Sequence, residues 1–336
     1  MKHSYHIDLN EGDSLFETVP ELAEEAQRRS NNSRPPTAWI ERARTVLGPA
    51  AEALVVCGSM EEAWLATAVA KELGPFSAIH AVKVLNGRRA VSWKVSLIRS
   101  EPGAIVDLAL QERVPEARKT KRGPAPAFDL YVRVQPIYPA LVDALTAADP
   151  DRSVTGLVWG TSLAIEYDGG GHRSDPVDDK NRDLRAFLGL LTPTLRVPPG
   201  IANKNREWGP FRTVGTAVRR WADTVAKAAV EIDDAVAALV QAHTDELVSF
   251  AVLVDRAHDD MLAGNIEEGI EALGALRRDS RWPTSPSWAR QSPERTLLLD
   301  ANRALRKLAR QATHDLKGAL PPDVTLVPPR LPSGLA

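Results

Sequence analysis

The stretch that decides the fold runs from residue 79 to residue 98, IHAVKVLNGRRAVSWKVSLI. Its first half, Ile79 to Leu85, is apolar and β-branched. Asn86-Gly87 then supplies a turn that tolerates positive φ, the strongest short-range signal of a β-hairpin. The return, Ala90 to Ile98, alternates: Val91, Trp93, Val95 and Leu97 fall on one face, and Ser92, Lys94 and Ser96 on the other. A period of two buries one face and wets the opposite one. The hairpin belongs to an antiparallel sheet, with Trp93 assigned to its core side.

Working outward, Phe128 to Val134 repeats the alternation, with Leu130, Val132 and Val134 opposite Asp129, Tyr131 and Arg133. Val154–Trp159 and Leu163–Tyr167 read as further strands, with a helix near Pro139–Ala147 before them. Ile105 to Leu110 is too short for periodicity to separate helix from strand. Upstream, Val19, Leu22 and Ala26 recur at helical spacing. A second helix starts near Thr37, presents Ile40, Ala43 and Leu47, and ends before Gly48-Pro49. Ala53 to Cys57 (ALVVC) reads as a short buried strand leading through Gly58 to Ser59. Glu62, three residues after Ser59, completes a capping-box pattern for a helix carrying Trp64, Ala68, Val69 and Leu73. Antiparallel signals outnumber βαβ units, which gives an α+β class: a mixed or antiparallel sheet domain with flanking helices, then an all-α domain.

The change of character comes between Thr192 and Pro210, a proline-spaced tract that reads as a linker. Beyond it, Val218, Trp221, Val225, Ala229, Ile232, Val236 and Leu239 keep helical spacing, extended by Leu247, Phe250, Ala251, Val254, Met261 and Leu262. A break is expected near His243 to Asp245. A third element carries Ile266, Ile270 and Leu273, and a last helix carries Leu298 to Leu316. The expected division is 1–200 for the mixed domain, 211–318 for a helical bundle and 319–336 for a proline-rich tail.

Composition narrows the function classes. The 336 residues carry 42 basic and 44 acidic side chains, a formal charge of -2, so no global polycation coats a nucleic acid or membrane. One cysteine, Cys57, excludes an intrachain disulfide and a thiolate-rich zinc site. No apolar run approaches a membrane span, and the opening MKHSYHIDLNEGDSLFE turns acidic where a signal peptide needs its apolar stretch. The expectation is a soluble, cytoplasmic protein with no membrane partner. Charge is nevertheless uneven: residues 111–220 hold 17 basic against 13 acidic groups, between acidic flanks.

Two function classes follow. In the first, the protein is an enzyme acting on a phosphorylated or nucleotide-like small molecule. Gly58 and Ser59, at a helix start, offer unpaired N–H groups and a hydroxyl to a phosphate, or Ser59 is simply the helix cap. The segment has neither a Walker lysine nor a dinucleotide fingerprint. The glycine-rich loop Asp168–His172 adds Asp168, His172 and Asp175 as an acid/base or metal-binding cluster, with Asp178 and Asp179 beyond. The second class is a nucleic-acid-associated or assembly protein. Its contacts would be Arg118, Lys119, Lys121 and Arg122 in one loop, and Lys204, Arg206, Arg212, Arg219 and Arg220 near the domain junction, with Trp208 for base stacking. His243 and His258, Asp233-Asp234 and Asp255/Asp259-Asp260 invite a divalent metal without matching a metal motif. The residues name no cofactor.

Overall fold

A computed structural model describes residues 3–30, 36–86, 90–120, 125–136, 161–169, 176–190, 192–199, 211–278 and 293–327. Its centre is an eight-stranded sheet with the strands in chain order: β1 (His3–Asp8), β2 (Ala78–Asn86), β3 (Ala90–Glu101), β4 (Ala104–Arg113), β5 (Ala127–Pro136), β6 (Thr161–Tyr167), β7 (Thr194–Val197) and β8 (Thr325–Val327). Strands β1 to β6 pair antiparallel, β7 lies parallel to β6, and β8 returns antiparallel. The expected hairpin is present, paired down to Asn86↔Ala90. Ile105–Leu110 resolves as strand because Pro102-Gly103, with Gly103 at φ 72°, turns β3 tightly back into β4.

A parallel neighbour requires a crossover, and helix α5 (Pro176–Leu190) provides it between β6 and β7. The sequence reading kept Asp168 to Asp179 as loop. Pro176 opens the helix instead, with Asp178 and Asp179 in the first turn, where its dipole favours negative charge. β7 lies within the tract read as linker and β8 within the segment read as tail. Both are too short for alternation to register. β1 was missed because its polar residues mask a single buried side chain, Ile7. The expected helix near 139–147 and strand at 154–159 lie outside the described residues.

Four helices precede β2: α1 (Leu15–Thr18), α2 (Pro20–Ser30), α3 (Pro36–Leu47) and α4 (Met60–Leu73). The expected strand at Ala53–Cys57 is instead part of a 3-10 segment, Gly48–Val56. A short apolar run does not distinguish a buried strand from a buried helical turn. Buried Glu52 fixes the alternative by accepting from Ser14 Oγ (2.9 Å), Phe16 N (3.0 Å) and Arg44 Nη2 (2.9 Å).

Arg99 Nη1 donates to Leu73 O at 2.5 Å, which sets the end of α4 on the sheet face of Val95 and Leu97. On the opposite face, Ala186 of α5 joins Ala109, Phe128, Tyr131 and Ala164 in one apolar cluster. Helices therefore cover both sides of the sheet's central strands.

The C-terminal region is helical as expected: α6 (Arg212–Leu262), α7 (Ile266–Arg278) and α8 (Pro293–Ala319). The break expected at 243–245 is absent, and α6 is continuous. Between Thr216 and Leu262 the chain has neither glycine nor proline, so nothing forces an interruption. The described residues form two compact units, those within 1–136, 159–228 and 306–336 in one and those within 229–305 in the other. In the first, α6 approaches α4 so closely that a Cβ on Gly215 would lie 2.6 Å from Ala68 O. In the second, Gly269 of α7 packs similarly on Ala257 O of α6. Among the described residues, no helix is long and apolar enough to cross a membrane.

Candidate functional site

Where α4 begins, β4 and β5 both depart from regular pairing. The pair Gln111/Asp129 is skipped between Leu110↔Leu130 and Glu112↔Phe128. Gln111 sits at φ 53°, the one positive-φ residue other than glycine among the described residues. A left-handed side-chain-bearing residue costs about 1–2 kcal/mol and persists only where its surroundings hold it. Here they do. Gln111 Nε2 donates to both Glu62 Oε2 and Asp129 Oδ1, each at 3.2 Å. Asp129 Oδ2 accepts from Tyr167 N at 2.8 Å, and Glu62 Oε2 accepts from Gly58 N at 2.7 Å.

Two carboxylates thus share one amide at the head of a helix. Burial, reinforced by the charge of Asp129, pushes the Glu62 carboxyl up to about 7, against the opposing hydrogen bonds from Gly58 and Ser59. A carboxyl whose value rises on folding binds its proton more tightly in the native state. Its stabilising contribution is complete below about pH 4.5 and is lost as pH climbs through about 7. Glu62→Gln should therefore flatten the decline in stability across that window by about 3 kcal/mol, read from urea midpoints at pH 5 and pH 8. An unchanged pH slope would refute this account of Glu62.

Gln111 also forms part of the wall of an open groove of about 480 Å³ between α2, the 3-10 segment and strands β2 to β5. Leu22, Val55, Val56 and Trp93 give it an apolar lining, and Arg28, Lys83 and Arg113 bring positive charge beside Glu21 and Glu25, the latter 2.7 Å from Arg28. Lys83 Nζ lies 5.7 Å from the centre of the Trp93 ring and 2.8 Å from Glu21 Oε1. Tyr5 also lies near that indole, ring centres 6.0 Å apart. Trp93 is thus not closed into the core, as the alternation implied, but half-buried on a groove wall.

On the α5 face lies a buried ionic network. Arg182 meets Glu166 at 2.8 Å, and Arg196 meets Asp183 and Asp168 at 2.8 and 2.7 Å. Burial, with Asp129 nearby, keeps the Glu166 carboxyl well above its usual range despite both arginines.

The candidates named from the sequence distribute unevenly over this geometry. Ser59 caps α4, its Oγ accepting from Glu62 N at 3.2 Å, and the Gly58 amide is occupied by the Glu62 carboxylate. Asp168 is the partner of Arg196. His172 and Asp175 lie outside the described residues, as do Lys121, Arg122, Lys204, Arg206 and Trp208. Lys119 is paired with Asp178, and Arg212 lies 3.4 Å from Glu72. Arg219 binds Asp223 and donates to the Glu72 and Gly74 carbonyls, closing the end of α4.

Sequence reasoning passed over Gln111 altogether and took Glu62 only as a capping residue and Asp129 only as a wet-face residue. A polar pair meeting across adjacent strands carries no local signal. Among the described residues, no three His, Cys, Asp or Glu side chains converge to hold a metal. No protein-family model, curated protein or solved structure matches the chain, so the site is interpreted from its own geometry.

Proposed function

We propose that the protein is an enzyme acting on a phosphorylated or nucleotide-like small molecule seated in the Trp93 groove. The observation that carries this reading is the joining of that groove, through Gln111, to the Glu62–Asp129 pair. Its volume of about 480 Å³ is in the range of small-molecule sites. The half-buried Trp93 offers an apolar aromatic surface to a base. Arg113 offers positive charge and donors to phosphate oxygens, joined by Arg28 and Lys83 where a phosphate displaces their partners Glu25 and Glu21. Glu62, one hydrogen bond behind the wall, is a carboxyl able to take or release a proton near neutral pH. Gly58 and Ser59 serve by holding Glu62 rather than by gripping phosphate themselves.

The nucleic-acid reading is the weaker of the two. Of the described members of its patch, Lys119, Arg212 and Arg219 meet acidic side chains while Arg220 is exposed, and none of them adjoins the Glu62–Asp129 pair.

Isothermal titration of the full chain with nucleoside mono-, di- and triphosphates and with sugar phosphates tests the proposal. At least one should bind saturably, and Trp93→Ala and Arg28→Ala should each weaken it about tenfold or more. Glu62→Gln should retain binding and lose turnover of that ligand. Binding of none of these compounds, or binding indifferent to Trp93 and Arg28, rejects the groove. Tight binding of a mixed-sequence oligonucleotide in its place would favour the nucleic-acid reading.

A further inference from the structure

We propose that His6 and His80 form a two-imidazole seat for a late first-row divalent cation, such as Ni²⁺, Cu²⁺ or Zn²⁺, at the outer edge of the sheet. The two residues are direct partners across β1 and β2. Directly opposed residues of an antiparallel pair share a face, with Cβ atoms about 4.5–5.5 Å apart. Both side chains are exposed, while their neighbours Ile7 and Ile79 are fully buried on the other side. That separation suits one ion, because nitrogens bound at about 2.0–2.1 Å to a common metal need to lie only about 3 Å apart.

The orientation of His80 supports the assignment independently of the register. Its Nε2 lies 2.5 Å from Ser4 Oγ, so the ring is turned across onto β1, the strand that carries His6. Ser4 is two residues from His6, on the same side of that strand. An acidic group lies on the same face of the sheet. Asp107 interacts electrostatically with His80, its side chain is nine-tenths buried, and its Oδ1 has no hydrogen-bond partner. Arg133 Nη1 lies 3.9 Å from the other oxygen.

Imidazole is a good ligand for these borderline ions, and two protein donors leave the remaining positions to water. The ion would clip an edge strand to its neighbour, at the place where a sheet is most open to fraying or to pairing with another chain. This inference is independent of the groove.

Isothermal titration of the full chain with NiCl₂, CuCl₂ and ZnCl₂ at pH 7.5 tests it, alongside amide hydrogen exchange. At least one of these ions should bind at one site per chain and slow exchange of the β1 amides. His6→Ala and His80→Ala should each weaken that binding at least tenfold, and both lie on an exposed face where truncation opens no cavity. His314→Ala, remote in sequence and equally exposed, should leave it unchanged. Absence of saturable binding by all three ions would overturn the proposal. So would a loss of less than tenfold in either His6→Ala or His80→Ala.

Discussion

Replacing Arg196 with alanine is expected to lower the stability of the sheet-bearing unit by about 3–5 kcal/mol, seen as a marked drop in its urea midpoint. Arg196 stands on β7 with its side chain 8% exposed, against an Asp183 side chain that is fully buried. Its Nε donates to Asp183 Oδ2 at 2.8 Å and its Nη1 to Asp168 Oδ1 at 2.7 Å. Removing it leaves Asp183 with Arg182 alone, whose guanidinium already serves Glu166 and Asp179.

An uncompensated buried carboxylate costs several kcal/mol, far more than the pair contributes relative to an apolar substitute. Replacing both partners, Arg196→Leu with Asp183→Leu, should therefore recover most of what Arg196→Ala loses. A loss below about 1 kcal/mol for Arg196→Ala would show that the network is solvated and that Asp168 is not tied to it. Asp168→Ala should cost less, because that carboxylate is one-third exposed and can be replaced by water.

The parts of the fold legible in the sequence were those written in side-chain periodicity. The hairpin, the Ser59–Glu62 cap and the apolar stripe of α6 all rest on interactions within a few residues, which local spacing encodes. β7 and β8 are different in kind. Thr194–Val197 is a strand because it lies parallel to β6, and Thr325–Val327 because it follows β7. Nothing in four or three residues specifies that pairing. The Ala53–Cys57 run failed for a related reason: Glu52, which holds the 3-10 segment, finds its partners at Ser14 and Phe16, far away in sequence.

The candidate site was less legible still. Glu62 was visible as a first-turn acid, yet its unusual proton affinity comes from burial and from Asp129, on another element. Gln111 has an ordinary side chain in an extraordinary backbone conformation, and φ is not written in composition. Lys83 and Trp93 were readable as members of one hairpin, but the groove also needs α2 and the 3-10 segment packed beside them. The basic residues, by contrast, stood out as clusters while their acidic partners did not. Lys119 meets Asp178 and Arg219 meets Asp223 once the chain folds, so an acidic neighbour offsets each locally.

The second large effect is expected at Trp221, the biggest fully buried side chain among the described residues. Trp221→Ala should destabilise the protein by about 3–5 kcal/mol, the usual cost of truncating a buried tryptophan. Its indole Nε1 donates to Thr313 Oγ1 at 3.4 Å, which links the start of α6 to the end of α8. Thr313 Oγ1 itself donates to Ala309 O at 2.7 Å, so it keeps a partner after truncation. The loss should therefore come from the cavity and the missing apolar contact more than from an orphaned hydroxyl. Trp221→Phe, which keeps an aromatic ring in place, should lose about half as much.

The informative measurement is which transition moves. Residues 212–228 and 306–327 cluster with the sheet, in the same compact unit as Arg196. Trp221→Ala and Arg196→Ala should then shift one shared cooperative step in urea, followed by circular dichroism and by limited proteolysis. If Trp221→Ala left the Arg196-sensitive step in place and melted helix alone, the start of α6 would have to be assigned to a separately folding helical domain. That result would support the division at the proline-spaced tract, with the sheet complete without α6.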